Sequence, residues 1–550
     1  MRCAAGGRSQ VLLLLGVSLL LFGLAGPSSA ATHVWGRWEQ VLHSTREHPN
    51  PYADVVLRVT YSGPRGQVLK AFGFWDGGDE FRIRCAFPSA GLWRWRTTCS
   101  DPLDSGLHGR SGEVRVQRYG GENPLYRHGF LRVSPNHRYL THADGTPFLW
   151  VGDTAWAAPL HATAKEWEVY LADRAGKGFT VTQIAPASSW AGKQDAEGNP
   201  PFQGTGLERW NPAYWRGFEA KVKAANDHGL VVMLVGLMEP TERYPDARAA
   251  VLFARRLVAR LYGSFVVFSP SFDSPFMALG DEVGAAIREA TSVHLVTQHP
   301  GTDLPAAEQY HGKAYADVAG VQTGAGWGTD PLSPESASRN ALEWCGRLYG
   351  LTPPKPLVNL ESRYDSRFNQ KQMARLPRSC GYWSLLSGAV GYTYGCAGVW
   401  NWGGPNGNDP QGQPWGWREG MHQESPDDVG RMAKLLGSLE WWTLQPKPEW
   451  VVGQPEQWSR HVAVAASPRG DLVVAYAPDN PTVTLKPSVE RRATRGKWAN
   501  LNTGELVPAV GTRTEAGELT FGRPQGWEDA LLVLSPGGRL PARASAPAKR

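Results

Sequence analysis

From about residue 140 to residue 400 the chain alternates short apolar runs with helical segments, and this rhythm restricts the fold more than any other feature. Eight runs read as buried strands: Pro147–Gly152, Phe179–Ala185, Leu230–Leu237, Phe265–Ser271, His294–His299, Val318–Thr323, Lys355–Glu361 and Gly391–Trp400. Helical periodicity fills the gaps, most clearly at Ala213–His228, Pro245–Tyr262, Pro275–Ser292, Pro334–Tyr349 and Asn369–Ser387. Eight strands in strict alternation with helices predict an α/β fold built on a (β/α)₈ TIM barrel. A doubly wound sheet is the alternative, but it gives no reason for polar residues at the ends of all eight strands.

Two flanking regions read differently. Residues 31–120 carry short strand-like runs at Val55–Tyr61, Val68–Phe74, Glu80–Phe87 and Trp93–Cys99, separated by turns such as Ser62-Gly63-Pro64 and Asp76-Gly77-Gly78. That spacing predicts an N-terminal β-sandwich. After Pro446-Lys447-Pro448 strands return at His461–Ala466, Leu472–Ala477, Thr482–Leu485, Lys497–Asn500 and Ala530–Leu534, predicting a second β-sandwich over 446–536. The barrel then occupies 121–445, and the Pro-, Ala- and Arg-rich residues 537–550 read as a disordered basic tail.

The first 30 residues read as a secretory signal peptide. Arg2 and Arg8 make a basic start, Val11–Leu24 is apolar, and Ser28-Ser29-Ala30 offers small residues for cleavage. A retained anchor is the alternative, although no stop-transfer pattern follows. Export places the protein outside the cell or in a periplasm and permits disulfides. Cys85 and Cys99, on successive strand-like runs, could pair across a hairpin. The formal charge of +6 falls to +4 without Arg2 and Arg8, and Arg539, Arg543, Lys549 and Arg550 account for the rest. The body is near neutral and shows no basic stripe along the sequence, which argues against nucleic acid as a partner. The 24 Trp residues suit a carbohydrate partner, because aromatic faces stack on sugar rings, but they suit a core equally well.

Polar residues where barrel strands emerge are the candidates for chemistry. The fourth strand runs out to Asp273 and the seventh to Glu361. Two carboxyl groups facing one mouth are the minimal equipment for cleaving a glycosidic bond: one delivers a proton to the leaving oxygen and the other attacks or stabilises the anomeric carbon. The assignment is Asp273 as acid/base and Glu361 as nucleophile. Asp153, Trp156, Trp190, Glu239, His299, Gln322, Tyr394, Trp400 and Trp402 are the candidates for holding substrate. Trp190 lies in Pro186–Asn211, a long aperiodic stretch of the kind that forms active-site lids.

Each assignment has a plainer rival. Asp273 could cap the following helix, although Ser274 before Pro275 fits N-cap and N1 better. Glu361 could pair with Arg363 or Arg367, Asp153 could cap a helix, and His299 could be a core histidine. Asp281 and Glu282 lie within a helical run. No His-Glu-x-x-His, Asp-rich calcium loop, Cys-x-x-Cys, Gly-x-Ser-x-Gly or Gly-rich phosphate loop occurs, so neither a metal nor a cofactor is expected.

The run Phe148-Leu149-Trp150-Val151-Gly152-Asp153-Thr154-Ala155-Trp156 resembles the opening strand of the DUF4038 apiosidase-like glycoside hydrolases, glycoside hydrolase family 140 and relatives. The likeness continues through Lys177-Gly178-Phe179, Asp273, His294–Pro300, Gly391-Tyr392-Thr393-Tyr394-Gly395 and Gly398-Val399-Trp400. Asn50-Pro51-Tyr52, Gly73-Phe74-Trp75-Asp76-Gly77 and Gly91-Leu92-Trp93 resemble a DUF5060 domain, and the last sandwich resembles a collagen-binding-type domain. The resemblance implies a retaining, exo-acting glycosidase with Asp273 as acid/base and Glu361 as nucleophile. Ser271-Phe272 stands where the family often has Gly-Gly, and Cys396 where it often has His. Both departures bear on the sugar rather than on hydrolysis. The rival reading from another class is a non-catalytic carbohydrate- or matrix-binding protein on an inactive barrel. A carboxyl separation above about 10 Å would favour that rival.

Overall fold

The computed structural model describes residues 32–188, 190–204, 207, 209–238, 246–275, 277–324, 334–365, 375–403, 415–487 and 495–536. The expected signal segment, Glu239, Arg367, the start of the helix expected from Asn369, and the basic tail lie outside these residues.

The centre is one eight-stranded parallel sheet: β1 (Trp150–Thr154), β2 (Val181–Ile184), β3 (Val231–Leu234), β4 (Val266–Phe268), β5 (Leu295–Val296), β6 (Ala319–Gln322), β7 (Leu357–Glu361) and β8 (Gly391–Tyr394). Sequence neighbours pair from β1 to β5 and from β6 to β8, and β8 pairs with β1. The sheet curls until its ends meet, where the Val296 carbonyl accepts from the Asp317 and Val318 amides at 2.8 and 3.3 Å. This order excludes a doubly wound sheet. Helices α1 (Ala164–Lys177), α2 (Pro212–Asp227), α3 (Ala247–Leu261), α4 (Ala278–Ala290), α5 (Leu304–His311), α6 (Pro334–Tyr349) and α7 (Arg375–Leu386) follow β1 to β7 in turn.

Strand alternation sorts the side chains. Trp150, Val181, Met233, Val267, Leu295, Val358 and Leu360 share the interior core, whereas Val151, Ile184, Val232 and Phe268 pack outward under the helices. Both faces are therefore buried, as parallel sheets require. A polar chain ties this interior together. Trp150 Nε1 donates to Thr393 Oγ1 (3.1 Å), and Gln183 Nε2 donates to the Leu360 carbonyl (2.7 Å).

Several strands are shorter than the sequence suggests. The run from Pro147 is interrupted after Phe148, and its first two residues join a three-stranded antiparallel sheet with Leu140–His142 and Leu131–Val133. β4 stops at Phe268, and two residues later Pro270 has no N–H to continue the ladder.

At the N-terminal side a five-stranded and a three-stranded sheet face each other across Trp38, Leu57, Tyr61, Ile83, Trp93 and Val114. Arg37–His43, Phe74–Gly77 and Ser111–Gln117 are strands that the sequence reading missed. On the last of these, Val114 and Val116 alone are buried, so the apolar signal is thin. At the C-terminal side a six-stranded and a three-stranded sheet enclose Trp450, Val473, Trp498, Phe521 and Leu532. Leu506–Val510, mostly exposed and carrying Pro508, was missed there. Cys85 and Cys99 sit in different sheets of the N-terminal pair, and both are free and buried, which corrects the hairpin disulfide.

Buried ion pairs join the flanks to the centre. Arg84 donates to both Glu219 oxygens of α2 at 2.5 and 2.7 Å, and Arg260 of α3 reaches Asp76 at 2.5 Å. Burial alone would raise the Glu219 carboxyl, but Arg84 and Arg260 outweigh it and hold it at about 2. Arg378 of α7 makes two bonds to Asp529 at 2.9 and 3.0 Å and also binds Asp428. No helix among the described residues is long and apolar enough to cross a membrane.

Candidate active site

Glu361 is the last residue of β7 and faces Gln322 of β6 across an irregular register step. Asp273 stands five residues beyond the end of β4, at φ +48°. That is left-handed backbone, which Asp tolerates better than most residues. The loop carrying it is held by its neighbour after β5. Ser274 bridges to Pro300, and the Gly301 amide donates to the Ser274 carbonyl at 3.1 Å. The hydroxyls of Ser269 and Ser271 each accept from the His299 amide at 3.0 Å. Ser271 in turn donates to Gln298 at 2.7 Å. The stretch between β4 and Asp273 therefore clamps His299 beside it.

The result is a compact triad. His299 Nδ1 lies 3.6 Å from Asp273 Oδ1, and its Nε2 lies 3.5 Å from Glu361 Oε2. A carboxylate oxygen of Asp273, a ring nitrogen of His299 and a carboxylate oxygen of Glu361 all lie within 4.8 Å of one another. The ring is fully buried, with Trp156 edge-on at 5.3 Å and Phe272 at 5.2 Å. Neither ring nitrogen makes a hydrogen bond among the described residues. Burial pushes the imidazole down to about 3, so it is neutral at ordinary pH.

Three strand ends thus assemble a ligand set for a cation that no local motif announces. The two carboxylates approach different ring nitrogens. That is a poor cage for a single ion, because the lone pair of each nitrogen points away from the other.

An aromatic wall rises from the triad. Trp156 Nε1 donates to Tyr364 Oη at 2.7 Å, Trp400 meets Tyr364 edge-on at 6.3 Å, and Trp190 lies 5.9 Å from Trp400 and 6.2 Å from Phe272. Trp156 and Trp400 are buried, but Trp190 is 47% exposed and presents a ring at the rim. Gln322 is buried, and its Oε1 has no hydrogen-bond partner among the described residues. Trp156, Trp190, His299, Gln322 and Trp400 therefore gather near the two acids.

Three other candidates do not. Asp153 is fully buried on the helix side of β1, where Arg174 of α1 donates to it at 2.6 Å and Tyr170 at 2.9 Å. It alternates with the inward-facing Trp150 and Gly152 and points away from the mouth. Tyr394 likewise packs outward and donates to Asp365 at 3.4 Å. Trp402 stacks on Trp417 at 4.6 Å and lies 5.6 Å from Tyr170. All three are core residues under the helices. Ser274 is no N-cap either, because α4 begins at Ala278 after an uncapped Met277. Asp281 of α4 is held by Lys313 at 2.6 Å and Tyr315 at 2.9 Å. Tyr364 and Phe272 were missed as wall residues. Their positions, three residues past Glu361 and one before Asp273, were the available signal.

Comparison with known proteins agrees with this architecture. Among solved structures, a protein described as a glycoside hydrolase superposes with a TM-score of 0.66 at 18% identity, covering 76% of this chain and 99% of its own. A glycoside hydrolase family 5 protein from Bacteroides vulgatus ATCC 8482 gives 0.66 at 18% identity, covering 76% and 95%. A second protein from that organism, provisionally assigned as a glycoside hydrolase, gives 0.70 at 16% identity, covering 92% and 99%. No curated protein sequence matches the chain. The profile of DUF5060, a domain of unknown function, matches residues 31–100. The profile described as apiosidase-like, catalytic domain, matches residues 134–443, more than half of the sequence, and the chain belongs to that family.

Proposed function

We propose that this protein is a secreted glycoside hydrolase that removes a terminal sugar from a polysaccharide or oligosaccharide with retention of configuration. The reading places a signal peptide at 1–30, β-sandwiches at 31–120 and 446–536, and a catalytic (β/α)₈ barrel between them. The observation that carries it is the approach of Asp273 and Glu361 oxygens to within 4.8 Å. This favours the retaining separation of about 5–5.5 Å over the inverting one of about 6.5–9.5 Å, and lies far inside the limit set for an inactive barrel. Family membership supports hydrolysis, and the preference for a terminal sugar follows from that likeness. The narrower placement in DUF4038 and glycoside hydrolase family 140, and a collagen-binding-type C-terminal domain, belong to the same proposal.

In this mechanism Asp273 protonates the leaving oxygen while Glu361 attacks the anomeric carbon. Asp273 then deprotonates the water that releases the sugar. Trp190 offers a stacking face at the rim, and Gln322 a carbonyl for a sugar hydroxyl. The chemistry requires no cofactor. The test is to follow a hydrolysed aryl glycoside by proton NMR, screening furanosides and pyranosides. The first-formed product should keep the anomeric configuration of the substrate; inversion would overturn the mechanism, and inactivity across the panel would favour the binding-protein reading.

His299 suits the division of labour between the acids. A neutral imidazole has one N–H and one lone pair. With the proton on Nε2 it donates toward an ionised Glu361 and accepts at Nδ1 from a protonated Asp273. The present 3.5–3.6 Å spacings would tighten when substrate excludes water. The two hydrogen bonds would hold both carboxyl groups in place around the scissile bond. His299→Leu should therefore lower kcat by roughly 10²-fold or more. KM for the same aryl glycoside should change much less than kcat, because the ring holds the acids rather than the sugar. A wild-type kcat would rule this role out.

A further inference from the structure

Strand alternation builds a cationic face on the outer side of the five-stranded N-terminal sheet, remote in sequence from both acids. Arg58, Lys70, Arg94, Arg96 and Arg115 are exposed there, and Glu113, held by Arg94 at 2.9 Å, is the one carboxylate among the outward positions of their four strands. Register aligns them: Thr60 pairs with Lys70 on one side and with Arg96 on the other, and Arg96 pairs with Ser111. Lys70 and Arg96 are thus two strand spacings apart, roughly 10 Å, while Arg94 and Arg96 are roughly 7 Å apart along one strand. Between them runs a shallow groove of about 470 Å³, lined by Arg94, Arg96 and Glu113 with the hydroxyls of Thr60, Thr98 and Ser111. Residues 31–536 carry no net charge as a whole, so this concentration of cations is a local property of the sheet.

We propose that this face binds an acidic polysaccharide, a glycan bearing carboxylates along its length, and holds the enzyme on that polymer. The inference rests on the hydrolase reading and adds to it the class of polymer. Guanidinium groups take carboxylates through two parallel hydrogen bonds, which lysine-rich surfaces do less well. Interleaved hydroxyls suit the many hydroxyls of a sugar chain, and a flat sheet suits an extended one. Nucleic acid is the less favoured polyanion, because the one Trp lining the groove, Trp95, is 7% exposed and offers no open ring for stacking bases.

The experiment uses the full-length protein in affinity electrophoresis and calorimetry against polygalacturonate, neutral dextran and single-stranded DNA. Wild type should bind polygalacturonate, more weakly as salt is added, and should not bind dextran. The variant Lys70→Gln/Arg96→Gln/Arg115→Gln should weaken that binding by about tenfold, the scale of three exposed ion pairs, and leave kcat on an aryl glycoside unchanged. A charge-matched control, Lys486→Gln/Arg495→Gln/Arg513→Gln, should bind as wild type. Equal binding by the first variant, equal affinity for dextran, or tighter binding of DNA than of polygalacturonate would each overturn the proposal. Intact polygalacturonate binding with no aryl-glycoside turnover would instead count against the hydrolase reading and leave this face standing.

Discussion

Glu361→Ala is expected to lose activity on an aryl glycoside by about 10⁴- to 10⁶-fold, the scale seen when a covalent nucleophile is removed. Added azide should restore part of the rate, because the small anion fits the space left by the carboxylate, and the glycosyl azide formed should have inverted configuration. Asp273→Ala should behave differently. With a good leaving group the first step survives without acid assistance, and the glycosyl-enzyme then waits for a base. Azide needs no base, so it should accelerate turnover and give the retained product. The opposite stereochemistry in the two variants is the measurement that assigns the roles, because both acids contact the same His299 ring and differ little in type. Wild-type activity in either variant would remove that residue from the mechanism.

Asp153→Ala should leave the chemistry alone and damage the fold, by about 1–3 kcal/mol. The loss leaves the buried Arg174 guanidinium with Asp173 as its remaining carboxylate partner, and strips Tyr170 of an acceptor. Thermal unfolding should therefore begin at a clearly lower temperature, while KM of the enzyme that remains folded stays as in wild type. A raised KM with an unchanged melting curve would return Asp153 to the substrate site. Asp153→Asn should fall between, since the amide keeps the shape and one hydrogen bond but not the charge.

Asp153 and Glu361 show how far strand-end reasoning reaches. Both are acidic, and both stand where a parallel strand leaves the sheet. Side chains alternate with period two, so a shift of one residue moves a carboxylate from the mouth to the helix layer. The apolar runs fix where a strand lies to within a few residues, which is too coarse for that choice. Tyr394 failed for the same reason, packing outward; Trp402, eight residues beyond β8, instead stacks on Trp417 and meets Tyr170 of α1. Asp273 reaches the mouth although its strand ends at Phe268, because the loop between Ser269 and Asp273 still runs along it. His299 was nominated as a ligand for substrate. Its place between the acids depends on the serine clamp from the preceding loop, a contact between segments about thirty residues apart.

By itself the sequence determined the alternation of strands and helices, the flanking β regions and the two acids, because hydrophobic period and turn residues are local properties that survive without a partner. Tertiary structure alone decided which strand-end groups face the mouth, that Asp273, His299 and Glu361 converge, and that five scattered cations make one face. Those outcomes depend on the curl of the central sheet and on the register of neighbouring strands. Both arise from contacts between residues far apart in the chain, which a reading of adjacent residues cannot contain.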